Sequence, residues 1–425
     1  MTPERDLRAA GPLIVAAGLV VVASVAVTAS AGVPAGYLGV CLAFAAFIAV
    51  GEILRITLPG GRESAPLASA GSLGFALLPA FHGVSVGAHS VALTVTVVTM
   101  GSVVGAFPRA LIGRGMHIDE LARRVLTTLL AAALFRPALP VLAPDPENPD
   151  WRLAAGMTLA ALVAAVVDAM LAAAVRASQT RAPYRIAVVD EFRALAGISS
   201  AIGATGVLIA LAAPIMGYWA LPVFAVPLLL TQFSFRRFAT IEGTYLQTIR
   251  SLSKVTEVGG YTETGHSRRV SRLAVTVGRE MGVSERDLTD LEYASLMHDI
   301  GQLSLSEPIP GGATTMVAPV HQRRIAELGA EVIRQAGVLD KVADIVERQA
   351  DPYRPHRGQL DRDLPLESRI IKAVNAYDDL VGASLESDRK LQALERLQLG
   401  IDREFDPAVV DTLARIVERQ TEYAY

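Results

Sequence analysis

Hydrophobic residues are spread unevenly along this chain. Before Arg236 they run in long blocks; after it they recur singly, at helical spacing, among charged residues. A hydrocarbon core about 30 Å thick takes about 20 apolar helical residues to cross. The first part supplies eight blocks near that length, around residues 12–31, 36–57, 66–82, 84–106, 125–143, 152–175, 195–216 and 219–235, the third being the shortest. The pattern predicts an all-α chain: a transmembrane helical domain over 1–235, a connecting helix over 236–260 and a helical domain over 261–425.

Charge placement agrees with that count, because cytoplasmic loops near helix ends collect Lys and Arg. With eight spans the inside segments carry Arg5 and Arg8, then Arg62, then Arg109, Arg114, Arg123 and Arg124, then Arg181, Arg185 and Arg193, then Arg236 and Arg237. The outside loops carry almost none, and "PDPENPD" (144–150) is acidic and proline-rich. Both termini are therefore expected in the cytoplasm. The first block lacks a cleavage-like site and fits the alternation, so it reads as a retained span rather than a removed signal peptide.

Composition changes the picture in three ways. At 52% hydrophobic and 19% charged, with mean hydropathy +0.39, the chain is too apolar for an ordinary soluble globule, and its first partner is a lipid bilayer. A formal net charge of -3 gives no footing for a nucleic-acid polymer. The single cysteine, Cys41, lies in an apolar block and forms no intramolecular disulfide. Arginine far outnumbers lysine and alanine is abundant, as in a GC-rich bacterial genome, so the expected location is a bacterial cytoplasmic membrane.

Three ionisable residues fall inside the blocks: Glu52, Arg136 and Asp168. Such positions are costly in lipid and usually face a bundle interior. Glu52 is near enough to the inner surface to snorkel, and Arg136 and Asp168 sit toward opposite leaflets, so they are not expected to pair. Small residues crowd stretches such as "AALVAAVVDAMLAAA" (160–174), favouring close helix packing over an open channel. No discontinuous-helix or repeat pattern points to a transporter.

Beyond the last block, Ile241, Tyr245, Thr248, Leu252 and Val255 recur every three or four residues, and Gly259 and Gly260 then break the helix. So narrow a stripe suits either parallel pairing with a second copy or packing on the chain's own domain. Further on, His266, Val270, Leu273, Val277 and Met281 share a face, and Gly282 ends that helix. Ser284 with Asp287 resembles a capping box for the next helix, where Leu288, Leu291, Ser295 and His298 share a face. Two inward histidines from two helices, one followed by Asp299, suggest a metal site. Imidazole nitrogen and carboxylate oxygen suit divalent Mn, Fe, Ni or Zn, and such an ion lowers the pKa of water and polarises a phosphoryl oxygen.

The stretches "GHSRRVSRLA", "ASLMHDIGQL", "ELGAEVI", "SRIIKAVNAYDDL" and "FDPAVV", in this order, resemble the HD superfamily of metal-dependent phosphohydrolases, and within it the HD-GYP group of cyclic di-GMP phosphodiesterases. The resemblance covers about residues 240–420. It implies His266, His298 and Asp299 as metal ligands and Asp299 as part of the catalytic doublet. It places Gln302 where the family has a catalytic lysine, and Asn375 where it has an aspartate ligand. Ile325, Arg348 and Gln349 stand where further metal-binding histidines are expected, and the GYP signature is missing near "IVERQADPYRPHRG" (345–358). The surviving set, with Asn375 giving a weak carbonyl oxygen, is expected to hold at most one divalent transition-metal ion. Asp378, Asp379, His321 and His356 are the residues near enough in sequence to supplement it, although a surface position suits them better.

Three functions follow as expectations. The first is a signalling module with an incomplete metal site, weak or absent catalysis, and a cyclic dinucleotide or other phosphoester as ligand, paired as a homodimer through the connecting helix. The second is an active mononuclear phosphohydrolase. The third is a transporter or lipid-binding unit regulated by the helical domain. Loss of charge at Gln302 and Asn375 favours the first.

Overall fold

The computed structural model describes residues 10–34, 36–58, 62–81, 90–113, 117–143, 151–180, 183–309, 313–314, 317–337, 339–355, 361–384 and 386–422. These are almost entirely helical, as predicted, apart from one two-stranded hairpin and an isolated bridge. The chain divides into two units, residues 1–180 with 187–241, and residues 181–186 with 242–425.

In the first unit the elements are α1 (Gly11–Ala31), α2 (Leu38–Ile53), β1 (Ile56–Leu58), β2 (Arg62–Ser64), α3 (Pro66–Ala76), α4 (Val91–Leu111), α5 (Ile118–Leu142) and α6 (Trp151–Thr180). Then follow α7 (Tyr184–Ala194), a π-helical segment (Leu195–Ser199), α8 (Ser200–Met216) and α9 (Ala220–Val258), which continues into the second unit. Each predicted block holds one helix, and α7 lies between blocks. Among the described residues, five segments are long and apolar enough to cross a membrane: Gly11–Ala31, Val91–Leu111, Ile118–Leu142, Trp151–Gln179 and Gly197–Val258, the last covering α8 and α9. α2 is apolar but has 16 residues.

The third block differs most from its sequence reading. Its helix α3 has 11 residues and is buried along most of its length. At 1.5 Å per residue it reaches only about half the hydrocarbon thickness. Arg136 of α5 donates through Nη2 to the carbonyls of Phe75 and Ala76 at 3.2 Å each, adding a donor to acceptors at the end of α3. The fourth block is shifted as well: Ser90 accepts the Leu93 N–H at 3.0 Å and starts α4 there, while residues 84–89 lie outside the described set.

Close packing rests on glycine where the sequence suggested small residues. A Cβ on Gly105 of α4 would meet the Ala49 carbonyl of α2 at 2.4 Å, and one on Gly101 would meet the Ala45 carbonyl at 2.7 Å. The two backbones touch through this small-xxx-small seam. Glu52 does not snorkel, contrary to the sequence reading. It is 4% exposed and accepts from Arg55 Nη1 at 2.7 Å and from Arg124. Burial leaves no water to solvate its charge, so the arginines do. Asp168 pairs with Arg123 at 2.7 Å, and not with Arg136.

α9 runs unbroken through the predicted connecting segment and ends at Gly259 and Gly260, the latter at φ 74°. Ile249 on this helix is buried in the core of the second unit, with Leu246 against it. The stripe foreseen from the sequence points elsewhere: Ile241, Tyr245, Leu252 and Val255 are 43–53% exposed.

The second unit contains α10 (His266–Glu280), α11 (Glu285–Met297), a 3-10 turn (Ile300–Ser304), α12 (Pro319–Arg334), α13 (Asp340–Glu347), α14 (Leu366–Val381), α15 (Ser387–Gln398) and α16 (Pro407–Glu422). Val270 and Val277 of α10, Leu291 of α11, Ile333 of α12, Val346 of α13, Val374 of α14 and Leu413 of α16 meet in one core. Ser284 caps α11 as its spacing predicts, accepting the Asp287 N–H at 3.3 Å, and Gly282 at φ 83° follows α10.

Candidate metal centre

Two helix ends and a helix middle build the site. Gly265 adopts φ 81°, a left-handed conformation that glycine takes without a Cβ penalty, and so turns the chain into α10 with His266 as its first residue. α11 stops at Met297, leaving His298 and Asp299 at the entrance to the 3-10 turn. Asn375 comes from the middle of the buried face of α14.

Gly301 fixes the position of the doublet. A Cβ there would stand 1.9 Å from the Ile325 carbonyl and 2.8 Å from the Gly329 nitrogen, so only glycine lets the turn lie directly on α12. Gly301→Ala is expected to destabilise the folded protein by about 1–3 kcal/mol, since overpacked cores shift backbone. A thermal midpoint equal to that of the unmodified chain would contradict this.

His266, His298 and Asp299 are all buried, and their ligand atoms lie within 4.8 Å of one another. His266 Nε2 is 3.3 Å from His298 Nε2. Asp299 Oδ2 is 3.1 Å from the second of these nitrogens and 3.3 Å from the first, yet it is aligned with neither as a hydrogen bond. Asn375 Oδ1 lies 3.1 Å from His298 Nε2, while its Nδ2 donates to Thr314 Oγ1 at 3.1 Å. The amide thus turns its oxygen toward the histidines.

The outer partners settle which imidazole atoms face the centre. His298 Nδ1 donates to the Ser295 carbonyl at 2.8 Å, and His266 Nδ1 donates to Asp378 Oδ2 at 2.8 Å. Both Nε2 lone pairs are left converging on the Asp299 carboxylate. Electron-rich atoms this close repel unless positive charge lies between them, and a single divalent ion fits that requirement.

Without an ion, protons supply the charge. Burial opposes protonation of His266, but the carboxylates of Asp299 and Asp378 outweigh it and push the imidazole up to about 10. Burial likewise opposes charging His298, and the Asp299 carboxylate reverses the balance and raises it. Burial works to raise Asp299, but the charge of His298 and the closeness of His266 hold it well below the usual carboxylate range.

Asp378 was assigned by sequence to a surface; it is instead 5% exposed. Arg269 Nη2 holds it at 2.9 Å and also reaches Glu263 at 2.7 Å. Asp379 is similarly enclosed, 4.0 Å from His266 Nδ1. These carboxylates stand behind His266, not among the inward donors. The signal for Asp378 was its offset of three residues from Asn375, which puts both on one face of α14.

The other sequence candidates do not join the His266, His298 and Asp299 donor set. Gln302 is fully buried in the 3-10 turn, outside the lining of the adjoining cavity. Ile325 is a core residue, 4% exposed. Arg348 pairs with Asp351 and Asp361, whereas Gln349 Nε2 donates to the His298 carbonyl at 2.7 Å. His321 is exposed, and His356 lies outside the described residues.

A cavity of 610 Å³ opens over His298, Asp299 and Asn375. Its walls include Arg323, Gln349, Lys372 and Arg403. Burial chiefly lowers the Lys372 ammonium, and its donors are spent on the Ala350 and Asp351 carbonyls and Glu404. Arg323 makes no side-chain hydrogen bond or ion pair among the described residues, so its guanidinium is available to an anion.

Residues 259–409 match the family described as HD domain. Among curated proteins, the chain is 27% identical over 180 residues to the cyclic di-GMP phosphodiesterase response regulator RpfG of Xanthomonas campestris pv. campestris, covering 39% of this chain and 47% of that protein. It is 22% identical over 196 residues to a cyclic di-GMP phosphodiesterase of Thermotoga maritima, covering 44% and 53%. It is 25% identical over 194 residues to the 3'3'-cGAMP-specific phosphodiesterase 3 of Vibrio cholerae, covering 43% and 42%. The chain spans about half the length of these relatives, and no solved structure matches it. Residues 259–409 are therefore similar to the HD-domain family and, at low identity, to proteins named as cyclic-dinucleotide phosphodiesterases.

Proposed function

We propose that this chain is a bacterial membrane signalling protein whose HD domain binds a cyclic dinucleotide or related phosphoester at a one-ion site and hydrolyses it weakly or not at all. The observation that carries the reading is Asn375, a neutral amide whose oxygen stands 3.1 Å from His298 Nε2. An ion held by His266, His298 and Asp299 would meet one anionic ligand there, and the neighbouring positions Ile325 and Gln349 bring no histidine for a second ion. When bound, the ion would supply Lewis acidity toward a phosphoryl oxygen and a more acidic water. The chain's own part is to orient both imidazoles through Asp378 and the Ser295 carbonyl, and to offer Arg323 to a phosphate in the 610 Å³ cavity. The names of the relatives support the ligand class.

The test is binding and turnover of cyclic di-GMP by the purified full chain loaded with Mn²⁺. The expected result is saturable binding with little turnover. Rapid turnover by the unmodified chain would return the mononuclear phosphohydrolase reading, which the locked imidazole orientation favours.

In this proposal the first unit crosses the cytoplasmic membrane in about eight helices with both ends inside, and α9 pairs with that of a second copy. Two copies anchored in one membrane present their exposed Tyr245, Leu252 and Val255 in parallel. Leu252→Cys is expected to give a disulfide-linked dimer on oxidation of membranes, and to react with impermeant thiol reagents in inside-out vesicles only. Monomers after oxidation would exclude the pairing, and labelling in intact cells would reverse the topology.

A further inference from the structure

The HD site leaves unexplained a second cavity, of 160 Å³, in the apolar unit, walled by α3, α5, α6, α7, α8 and the π-helical segment and edged by several polar side chains. We propose that it binds a small zwitterion, a molecule carrying both an ammonium and an oxyanion.

Size sets the first limit: at roughly 30 Å³ per water, the space holds about five waters or one small solute. Its walls carry both signs of charge, with unused bonding capacity. Arg123 on α5 donates through Nη1 to Asp168 Oδ1 on α6 at 2.7 Å. Arg123 Nε and Nη2 and Asp168 Oδ2 make no hydrogen bond among the described residues. Thr128 lines the cavity and is 4% exposed, and its hydroxyl has no protein partner among the described residues. The lining hydroxyls of Ser69 and Ser199 are likewise unpaired among the described residues. Ser69 and Ser199 are half-buried, but Thr128 is buried, and buried polar groups normally find partners, so the cavity fits an occupant that hydrogen-bonds to the Thr128 hydroxyl.

The charge pattern chooses the occupant. Arg124 and Glu120 also line the cavity, but each is already compensated, by Glu52 and Arg55. Glu191, 5% exposed, lines the cavity too and is compensated by Arg176 at 3.4 Å, which leaves Arg123 beside Asp168, a neutral pair. A ligand of one sign would bring uncompensated charge into weakly polar surroundings, which is costly. A zwitterion places its oxyanion on Arg123 and its ammonium on Asp168, and every charge stays paired. A free amino acid and the headgroup of phosphatidylethanolamine both have this chemistry.

The experiment uses the full chain in detergent, with its thermal midpoint followed against glycine and alanine, and against sodium acetate and ammonium chloride as single-charge controls. The same chain in nanodiscs of phosphatidylethanolamine or phosphatidylglycerol tests the lipid source. The proposal expects a rise with an amino acid or with the ethanolamine lipid, and none with either single-charge salt. Thr128→Val, which keeps shape and all ion pairs, should weaken that binding about two- to tenfold, and Asp168→Asn about ten- to a hundredfold. Stabilisation by phosphatidylethanolamine alone, reduced in both variants, assigns the source to lipid and upholds the class. No response to any zwitterion, an equal response to acetate or ammonium, or a response unchanged in both variants overturns the proposal.

Discussion

Asn375→Asp is expected to tighten divalent metal binding by the full chain at least about a hundredfold, and to raise turnover of a cyclic dinucleotide with it. The substitution is nearly isosteric, and the site already fits it. Asn375 Oδ1 faces the histidines, and the atom replacing Nδ2 would face Thr314, whose hydroxyl can donate to a carboxylate as readily as it accepts from the amide. The change adds a full negative charge beside the ion. Two unit charges about 4 Å apart are worth about 4 kcal/mol at an effective dielectric of about 20, and each 1.4 kcal/mol is a factor of about ten. Part of that gain is offset because a second carboxylate beside Asp299 is itself unfavourable until the ion binds. Calorimetric titration with Mn²⁺ measures the affinity and chromatography of cyclic di-GMP the turnover. Unchanged affinity would mean that Asn375 does not contact the ion.

Arg124→Ala is expected to cost the membrane unit about 3–5 kcal/mol, the largest stability effect anticipated outside the HD domain. The Arg124 side chain is 4% exposed and bridges Glu52, Glu120 and Ser102. Removing it leaves Glu52 facing Arg55 alone and Glu120 short of one donor, in surroundings where unpaired carboxylates are poorly solvated. The penalty belongs to the stranded carboxylates rather than to the lost arginine. Adding Glu120→Gln to the same chain, which restores the charge balance and leaves Glu52 paired with Arg55, should therefore recover much of the loss. Thermal unfolding in detergent checks both steps, and a single variant as stable as the parent would show that the cluster is solvated after all.

The sequence made helices legible wherever local pattern sets them. Ser284 and Gly282 mark their helix ends from their own chemistry, and the stripes through Val270 and Leu291 describe faces that the core then uses. His266, His298, Asp299 and Asn375 were likewise readable, because face periodicity and a family-like order put them on converging elements. What escaped depended on partners distant in sequence. The burial of Glu52 depends on Arg124, 72 positions away. The short α3 is accommodated because Arg136 of α5 takes up the carbonyls at its end. Asp378 looked like surface charge because Arg269 and His266, which draw it inward, lie more than a hundred positions earlier. Neither the hairpin of β1 and β2 nor the Gln349 bond to the His298 carbonyl had a local signal strong enough to predict it.

The proposed function rests on one ion held by His266, His298 and Asp299. Metal content of the purified full chain, with His298→Ala beside it, tests this most directly. The prediction is about one transition-metal ion per chain in the parent and none in the variant, with both equally helical. Two ions per chain, or none in a folded parent, would contradict it.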